Sequence, residues 1–138
     1  MNKIVVHTDG GSRGNPGPGA VGFVVFIDSK EFHREGRYIG QTTNNQAEYQ
    51  AVIDALDFLK SKKEYCQSKV LFKIDSELVA RQLNGQYKVR DPKLKPLFLK
   101  IREILASLAF DISFMHVRRE ENKIADSLVN NALDKQNK

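Results

Sequence analysis

Apolar residues fall in short runs punctuated by turn residues near the N-terminus, and in three-and-four spacing further along. Ile4–Asp9 carries a run of strand length, and Gly19–Asp28 (GAVGFVVFID) a longer one. Ser29-Lys30 reads as a tight connection into Glu31–Ile39, a mixed segment suited to a hairpin partner near a sheet edge. The period then changes. Ala47, Ala51, Val52, Ala55, Leu56 and Leu59 share one helical face, with Asn44 or Asn45 as the cap and an end near Ser61. Lys69–Asp75 (KVLFKID) predicts a fourth strand, and Ser76 caps a short helix to Leu83 that Asn84-Gly85 closes. After a basic connection over 86–96, the spacing of Leu94, Leu97, Phe98, Ile101, Ile104, Leu105 and Leu108 predicts another helix. Asp111–His116 gives a fifth strand, and Ile124, Ala125, Leu128, Val129, Ala132 and Leu133 line one side of a last helix. The order β-β-β-α-β-α-α-β-α predicts an α/β fold built on a five-stranded mixed sheet. Three antiparallel strands come first, then two parallel ones, with helices on both faces. Residues 3–134 are expected to form one domain, and 135–138 a polar tail.

Composition narrows the partners. Hydrophobic residues make up 41% and charged residues 28%, an ordinary balance for a globular domain of 138 residues. A net charge of +5 favours acidic partners such as nucleic acid. Cys66, the single cysteine, excludes an internal disulfide and suits a reducing compartment. No apolar stretch approaches the roughly 20 residues that span a bilayer, and no secretory signal is read at the N-terminus. A cytoplasmic enzyme or binding module is expected, with no membrane partner.

Four carboxylates stand where most acids do not. Glu48 has Val52, Ala55 and Leu59 at i+4, i+7 and i+11, so it lies at the buried stripe of its helix. A lone carboxylate there costs several kcal/mol unless something positive compensates. Asp9 and Asp75 each end an apolar strand, and Asp126 flanks the apolar side of the last helix. Ligands of α/β sheets gather outside the carboxyl ends of strands, where Asp9 and Asp75 fall if their strands are parallel neighbours. Any one acid alone reads more simply as a cap, a salt bridge or a fringe residue. All four at boundaries of buried structure suggest all-oxygen ligation of magnesium or manganese, and two such ions about 4 Å apart are a device for phosphodiester chemistry.

The stretch HTDGGSRGNPGPGA, residues 7–20, follows the first apolar run. It reads either as a long polar turn or as a metal ligand beside a loop whose amides approach a polyanion. It is not a P-loop, because no Gly-Lys-Ser/Thr follows. Lys88, Arg90, Lys93, Lys95 and Lys100 form the densest basic stretch and read as a phosphate-contacting surface or a solvated helix start. His7 reads as a sheet-packed histidine, while His33 and Cys66 carry no functional signal.

HTDGGSRGNPGPGAVGF, TTNNQAEYQAVIDAL, KIDSELVARQLNG and HVRREENKIADSLVN resemble, in order, the sequence blocks of type I ribonuclease H. The resemblance runs from Ile4 to about Leu133. A basic protrusion carried by some members is missing, which resembles the archaeal-type short subgroup; the loop SRGNPGPG and YKVRDPKLKPL point the same way. The resemblance implies a ribonuclease H-like fold. It also implies hydrolysis of the RNA strand of RNA/DNA hybrids by two divalent ions (Mg2+, with Mn2+ as a substitute), leaving 5′-phosphate and 3′-hydroxyl ends.

By the same resemblance Asp9, Glu48, Asp75 and Asp126 are the catalytic, metal-binding carboxylates. Asp9 bridges both ions, Glu48 and Asp75 hold one, and Asp126 helps the other. His116 precedes Asp126 by ten positions, as does the family's mobile-loop histidine, which assists proton transfer or product release. Here the segment lacks the usual glycines, and Arg118 or Arg119 shares that role as an alternative. Asn15, Asn44 and Asn45 match positions that contact the minor groove and RNA 2′-hydroxyls, and Thr43 matches a threonine that seats a DNA phosphate. An asparagine amide both donates and accepts, as does the 2′-hydroxyl that marks RNA. Gly10, Gly11, Ser12 and Arg13 complete the substrate-binding set with Lys88 and Arg90, the glycines letting backbone come near a sugar-phosphate strand.

A monomeric enzyme on RNA/DNA hybrids is the leading reading, with double-stranded RNA as an additional substrate. Two alternatives stand beside it: a hybrid-binding module without catalysis, and a nuclease or integrase of the same fold acting on DNA.

Overall fold

The computed structural model describes residues 2–136. Strand β1 (Lys3–Ser12) turns through residues 13–16 into β2 (Gly17–Ile27), which pairs with it antiparallel from Ile4↔Ile27 to Ser12↔Gly19. Strand β3 (Lys30–Thr42) pairs antiparallel with β2 and forms one edge of the sheet. Helix α1 (Asn44–Lys60) then crosses to β4 (Lys69–Ile74), which lies parallel to β1. Helices α2 (Glu77–Leu83) and α3 (Lys95–Ser107) lead to β5 (Asp111–His116), parallel to β4, and α4 (Lys123–Gln136) closes the chain. The sheet order is β3-β2-β1-β4-β5. This is the five-stranded mixed sheet that the hydrophobic pattern predicts.

Alternation sorts the two faces. Ile4 and Val6 of β1, Phe23 and Val25 of β2, and Val70, Phe72 and Ile74 of β4 pack against Val52, Leu56 and Leu59 of α1 and Ile101 of α3. Each such side chain contributes about 1.5–3 kcal/mol by leaving water. On the other face α4 covers the first three strands, burying Val129 and Leu133 against Ala20. Here the helix lies almost on the sheet backbone. A Cβ at Gly22 would meet Leu128 Cβ at 2.7 Å and the Ala125 carbonyl at 2.8 Å, so only glycine allows this approach.

Three expectations need correction. Strand β1 does not end at Asp9. Gly10, Gly11 and Ser12 stay paired with β2, which satisfies backbone groups that a loop would leave to water. Asp9 ends only the parallel pairing with β4, whose last register pair is Thr8↔Ile74. Neither Asn44 nor Asn45 caps α1; Thr43 does, its hydroxyl accepting from Gln46 N while the Gln46 side chain accepts from Thr43 N. The last helix runs through Lys135 and Gln136, where a polar tail is expected, and residues 137–138 lie outside the described residues. Ser76 caps α2 as predicted, and Gly85, at φ 77°, follows the end of that helix.

Strand β3 presents an open outer edge whose exposed positions are mostly charged. Arg34 pairs with Glu31, and Arg37 grips Asp54 of α1 through both carboxylate oxygens at 2.9 and 3.0 Å. Among the described residues, no helix is long and apolar enough to cross a membrane.

Candidate active site

The sheet changes direction at β1, antiparallel to β2 on one side and parallel to β4 on the other. Asp9 and Asp75 follow the last parallel pair, where β4 ends and β1 runs on paired with β2 alone. Helix α1 brings Glu48 to the same point, with Gly10 as the hinge of the contact. A Cβ on Gly10 would lie 2.2 Å from the Ala47 carbonyl oxygen and 2.6 Å from Glu48 N. The first turn of α1 therefore rests directly on strand backbone, and Gly10 N–H donates to Glu48 Oε1.

One oxygen from each of Asp9, Glu48 and Asp75 lies within 4.8 Å of the others. Asp9 is 8% exposed and Glu48 6%, so two of the three are buried. Burial, with the charges of Asp75 and Asp126 nearby, pushes the Asp9 carboxyl up to about 7. Burial and the Asp9 charge push Glu48 well above the usual carboxylate range. Glu48 Oε2 is buried and has no hydrogen-bond partner among the described residues. A buried carboxylate oxygen without a donor is costly. Hard oxygen donors this close, one orphaned and two resisting ionisation, fit a divalent cation that supplies the missing positive charge.

The cluster floors a cleft of about 400 Å³. Gly10, Gly11, Ser12 and Arg13 of the β1–β2 hairpin, Asn44 and Asn45 of α1, and Asp126 of α4 line it, together with Ser76, Arg119 and Asn130. Asp126 thus faces the cleft from the opposite helix but stands outside the tight triad. Asn44 Oδ1 accepts from Ser12 N at 2.9 Å, and Asn15 Oδ1 accepts from Asn44 N at 3.0 Å, so three of the expected substrate-binding residues support one another. Arg13 pairs with Asp134 at 2.7 Å on the surface.

Other expected residues lie apart from the cleft. Thr43 commits its hydroxyl to the cap of α1. His116 ends β5 in register with Ile74, exposed at the same end of the sheet but not lining the cleft, whereas Arg119 does. Lys88 and Arg90 are exposed on either side of Val89, which packs on the core, so both basic groups point outward. The glycines of the hairpin serve the fold as well as any ligand. Gly10 is filled by α1, while a Cβ at Gly11 would meet nothing closer than 3.8 Å.

Sequence reasoning missed Asn130 and Asn122. Asn130 sits four residues after Asp126, and its amide donates to the Asp126 carbonyl, so helical spacing carried that signal. Asn122 is 1% exposed beneath Asp75, and an asparagine ahead of a helix signals only a cap. His7, expected to be sheet-packed, stacks edge-on with Phe26 and lies 3.1 Å from Asn122 Oδ1; burial pulls it below its usual value.

A mixed sheet with helices on both faces and an acidic, cation-fitting cleft at its switch point defines the class of ribonuclease H-like folds. Residues 7–132 match the family described as "Reverse transcriptase-like". Over the full length of both chains the structure superposes on LC11-RNase H1, isolated from compost, with a TM-score of 0.95 at 45% identity. The chain belongs to the ribonuclease H family, type 1. LC11-RNase H1 has also been solved in complex with an RNA/DNA hybrid, and that structure matches with a TM-score of 0.94 at 43% identity, covering 98% of this chain and 99% of that one. Ribonuclease HI of Halobacterium salinarum is 41% identical over 96% of this chain and 65% of its own length. Bifunctional protein Rv2228c of Mycobacterium tuberculosis is 40% identical over 96% of this chain. The chain spans only 36% of that protein's length.

Proposed function

We propose that this chain is an endoribonuclease that hydrolyses the RNA strand of RNA/DNA hybrids, leaving 5′-phosphate and 3′-hydroxyl ends. The observation that carries the reading is the Asp9–Glu48–Asp75 cluster with its orphaned Glu48 oxygen, in a chain similar over its whole length to a ribonuclease H1 solved with a hybrid. Residues 3–134 act as a single catalytic domain and as a monomer. A lone exposed Cys66 suits the reducing cytoplasm.

Asp9, Glu48 and Asp75 would hold a divalent ion, with Asp126 serving a second. Such a pair, Mg2+ or Mn2+ by the all-oxygen donors, supplies an activated water and charge stabilisation at the leaving oxygen. The protein's own part is placement. Asp9 sits on a central strand and Glu48 on a helix locked against it, so their carboxylates are held on rigid elements. Asn15, Asn44 and Asn45 rim the hairpin side, where amide groups can pair with ribose 2′-hydroxyls and tell RNA from DNA. Gly11, Ser12, Arg13 and Thr43 serve the phosphate strands. Lys88 and Arg90, exposed beyond the cleft, add sequence-independent attraction for phosphates. His116 handles the proton of the leaving group, while Arg119, which keeps its own proton, offers a positive charge to the departing phosphate from the cleft wall.

Cleavage of one sequence presented as hybrid, duplex RNA and duplex DNA, with magnesium and then manganese, tests the reading. The hybrid is expected to be cut in its RNA strand, EDTA to stop the reaction, and duplex DNA to stay intact. Cutting of duplex RNA would extend the substrate range as the archaeal-type resemblance implies. An uncut hybrid that is still bound would favour a binding module, and cut duplex DNA a different nuclease. His116→Ala is expected to slow turnover by about 10²- to 10⁴-fold, the range of a lost general acid–base group, with hybrid affinity little changed. Wild-type turnover in that variant would transfer the step to solvent.

A further inference from the structure

Asn122 lies at the junction between β5 and α4, just after the short 3-10 turn Arg119–Glu121, and is 1% exposed. Its amide nitrogen donates to the Thr8 carbonyl at 2.8 Å and to Asp75 Oδ2 at 3.2 Å. Both partners are oxygens that only accept, so the orientation of the amide is fixed by chemistry. Its Oδ1 consequently faces His7 Nδ1, 3.1 Å away, and the ring must carry a proton on Nδ1 to donate. The Asn122 carbonyl accepts from Asp126 N at 3.1 Å.

One buried residue therefore touches the neighbour of Asp9, the carboxylate of Asp75 and the backbone of Asp126. Those acids come from β1, from the end of β4 and from α4, elements with no sequence proximity. Asp75 lies past the last register pair of β4, so the ladder does not orient its side chain. The N–H on Oδ2 opposes rotation of that carboxylate and so favours one orientation of it beside the cluster.

We propose that Asn122 is a positioning residue for the metal-binding carboxylates, with His7 holding its amide in the donating orientation. The inference rests on the metal-dependent reading above, and its mechanism is that of a group behind a ligand. Such groups alter metal affinity by about 10–100-fold. Neither side chain lines the catalytic cleft.

Calorimetric titration of manganese into the protein, without nucleic acid, tests it. Asn122→Ala is expected to weaken manganese binding by about 10–100-fold and to shrink the rise in melting temperature that manganese gives. Hybrid affinity in EDTA should stay within a few-fold. His7→Leu, which removes the donor to Asn122, should move manganese affinity in the same direction by less, and His7→Gln, which keeps a donor, should recover it. Should Asn122→Ala fail to fold, the two His7 variants decide. Manganese affinity within twofold of wild type in a folded Asn122→Ala, or in both His7 variants, overturns the proposal. If the wild-type protein binds manganese yet does not cut hybrid, the nuclease reading falls while the positioning role is still scored by calorimetry. If it binds no manganese, both fall.

Discussion

Replacing Asp9 by asparagine is expected to abolish hybrid cleavage, to leave hybrid binding nearly intact and to raise the melting temperature of the metal-free protein. The first effect follows from the proposed role of Asp9 in holding the divalent ion. The third follows from burial. Asp9 is pushed up to about 7 in the fold, against about 4 for an ordinary aspartate. Between those values the folded chain holds more protons than the unfolded one, so stability falls as pH rises. In EDTA the wild type should be most stabilised by this group below about pH 4, and should lose that contribution as pH climbs through about 7. The asparagine variant lacks Asp9's share of that slope, keeping only what the buried Glu48 contributes, and should melt several degrees higher near neutrality. Added magnesium should stabilise the wild type, because the ion binds the folded state alone, and should do little for the variant. Melts across pH with and without EDTA, paired with a cleavage assay, check all three. Wild-type turnover in the variant would remove Asp9 from the chemistry.

Gly10→Ala is expected to cost at least about 10²-fold in turnover and to lower the melting temperature by about 10 °C. The new methyl would stand 2.2 Å from the Ala47 carbonyl oxygen and 2.6 Å from Glu48 N, both backbone atoms near the start of α1. Nothing flexible can give way. Helix α1 must lift from β1, carrying Glu48 away from Asp9 and breaking its bond to Gly10 N–H. Gly11→Ala is the control, since its methyl would meet nothing closer than 3.8 Å. It should melt like the wild type, and any loss there would report on hybrid contact. Thermal melts and turnover of both variants separate the cases; an unchanged Gly10→Ala would mean that helix and strand are not locked together.

The periodic apolar positions made the layers legible, because burial of one face leaves a direct trace in the sequence. Glu48 showed itself by standing on the buried stripe of α1, and Asp75 by ending an apolar strand. Other features leave no such trace. The continuation of β1 through Gly10, Gly11 and Ser12 depends on backbone pairing with Val21, Ala20 and Gly19, which no side chain announces. Thr43 won the cap over two asparagines because Gln46 completes a reciprocal pair with it. Asn122 was invisible for a similar reason. Its side-chain bonds run to residues more than 40 positions away, and an asparagine is an ordinary loop residue. Asp126, read as helping a second ion, lines the cleft outside the triad, and its place on the fringe of the apolar side of its helix was the signal.

The outer margin of β3 has a consequence for behaviour at high concentration. The outward-facing backbone groups of a thirteen-residue edge strand would ordinarily invite a neighbour to add a strand and start a fibre. Here Arg37 is already held by Asp54 and Arg34 by Glu31, so a stacking copy would have to strip those ions and bury them dry. A margin charged in this way keeps copies of the chain from joining into one continuous sheet.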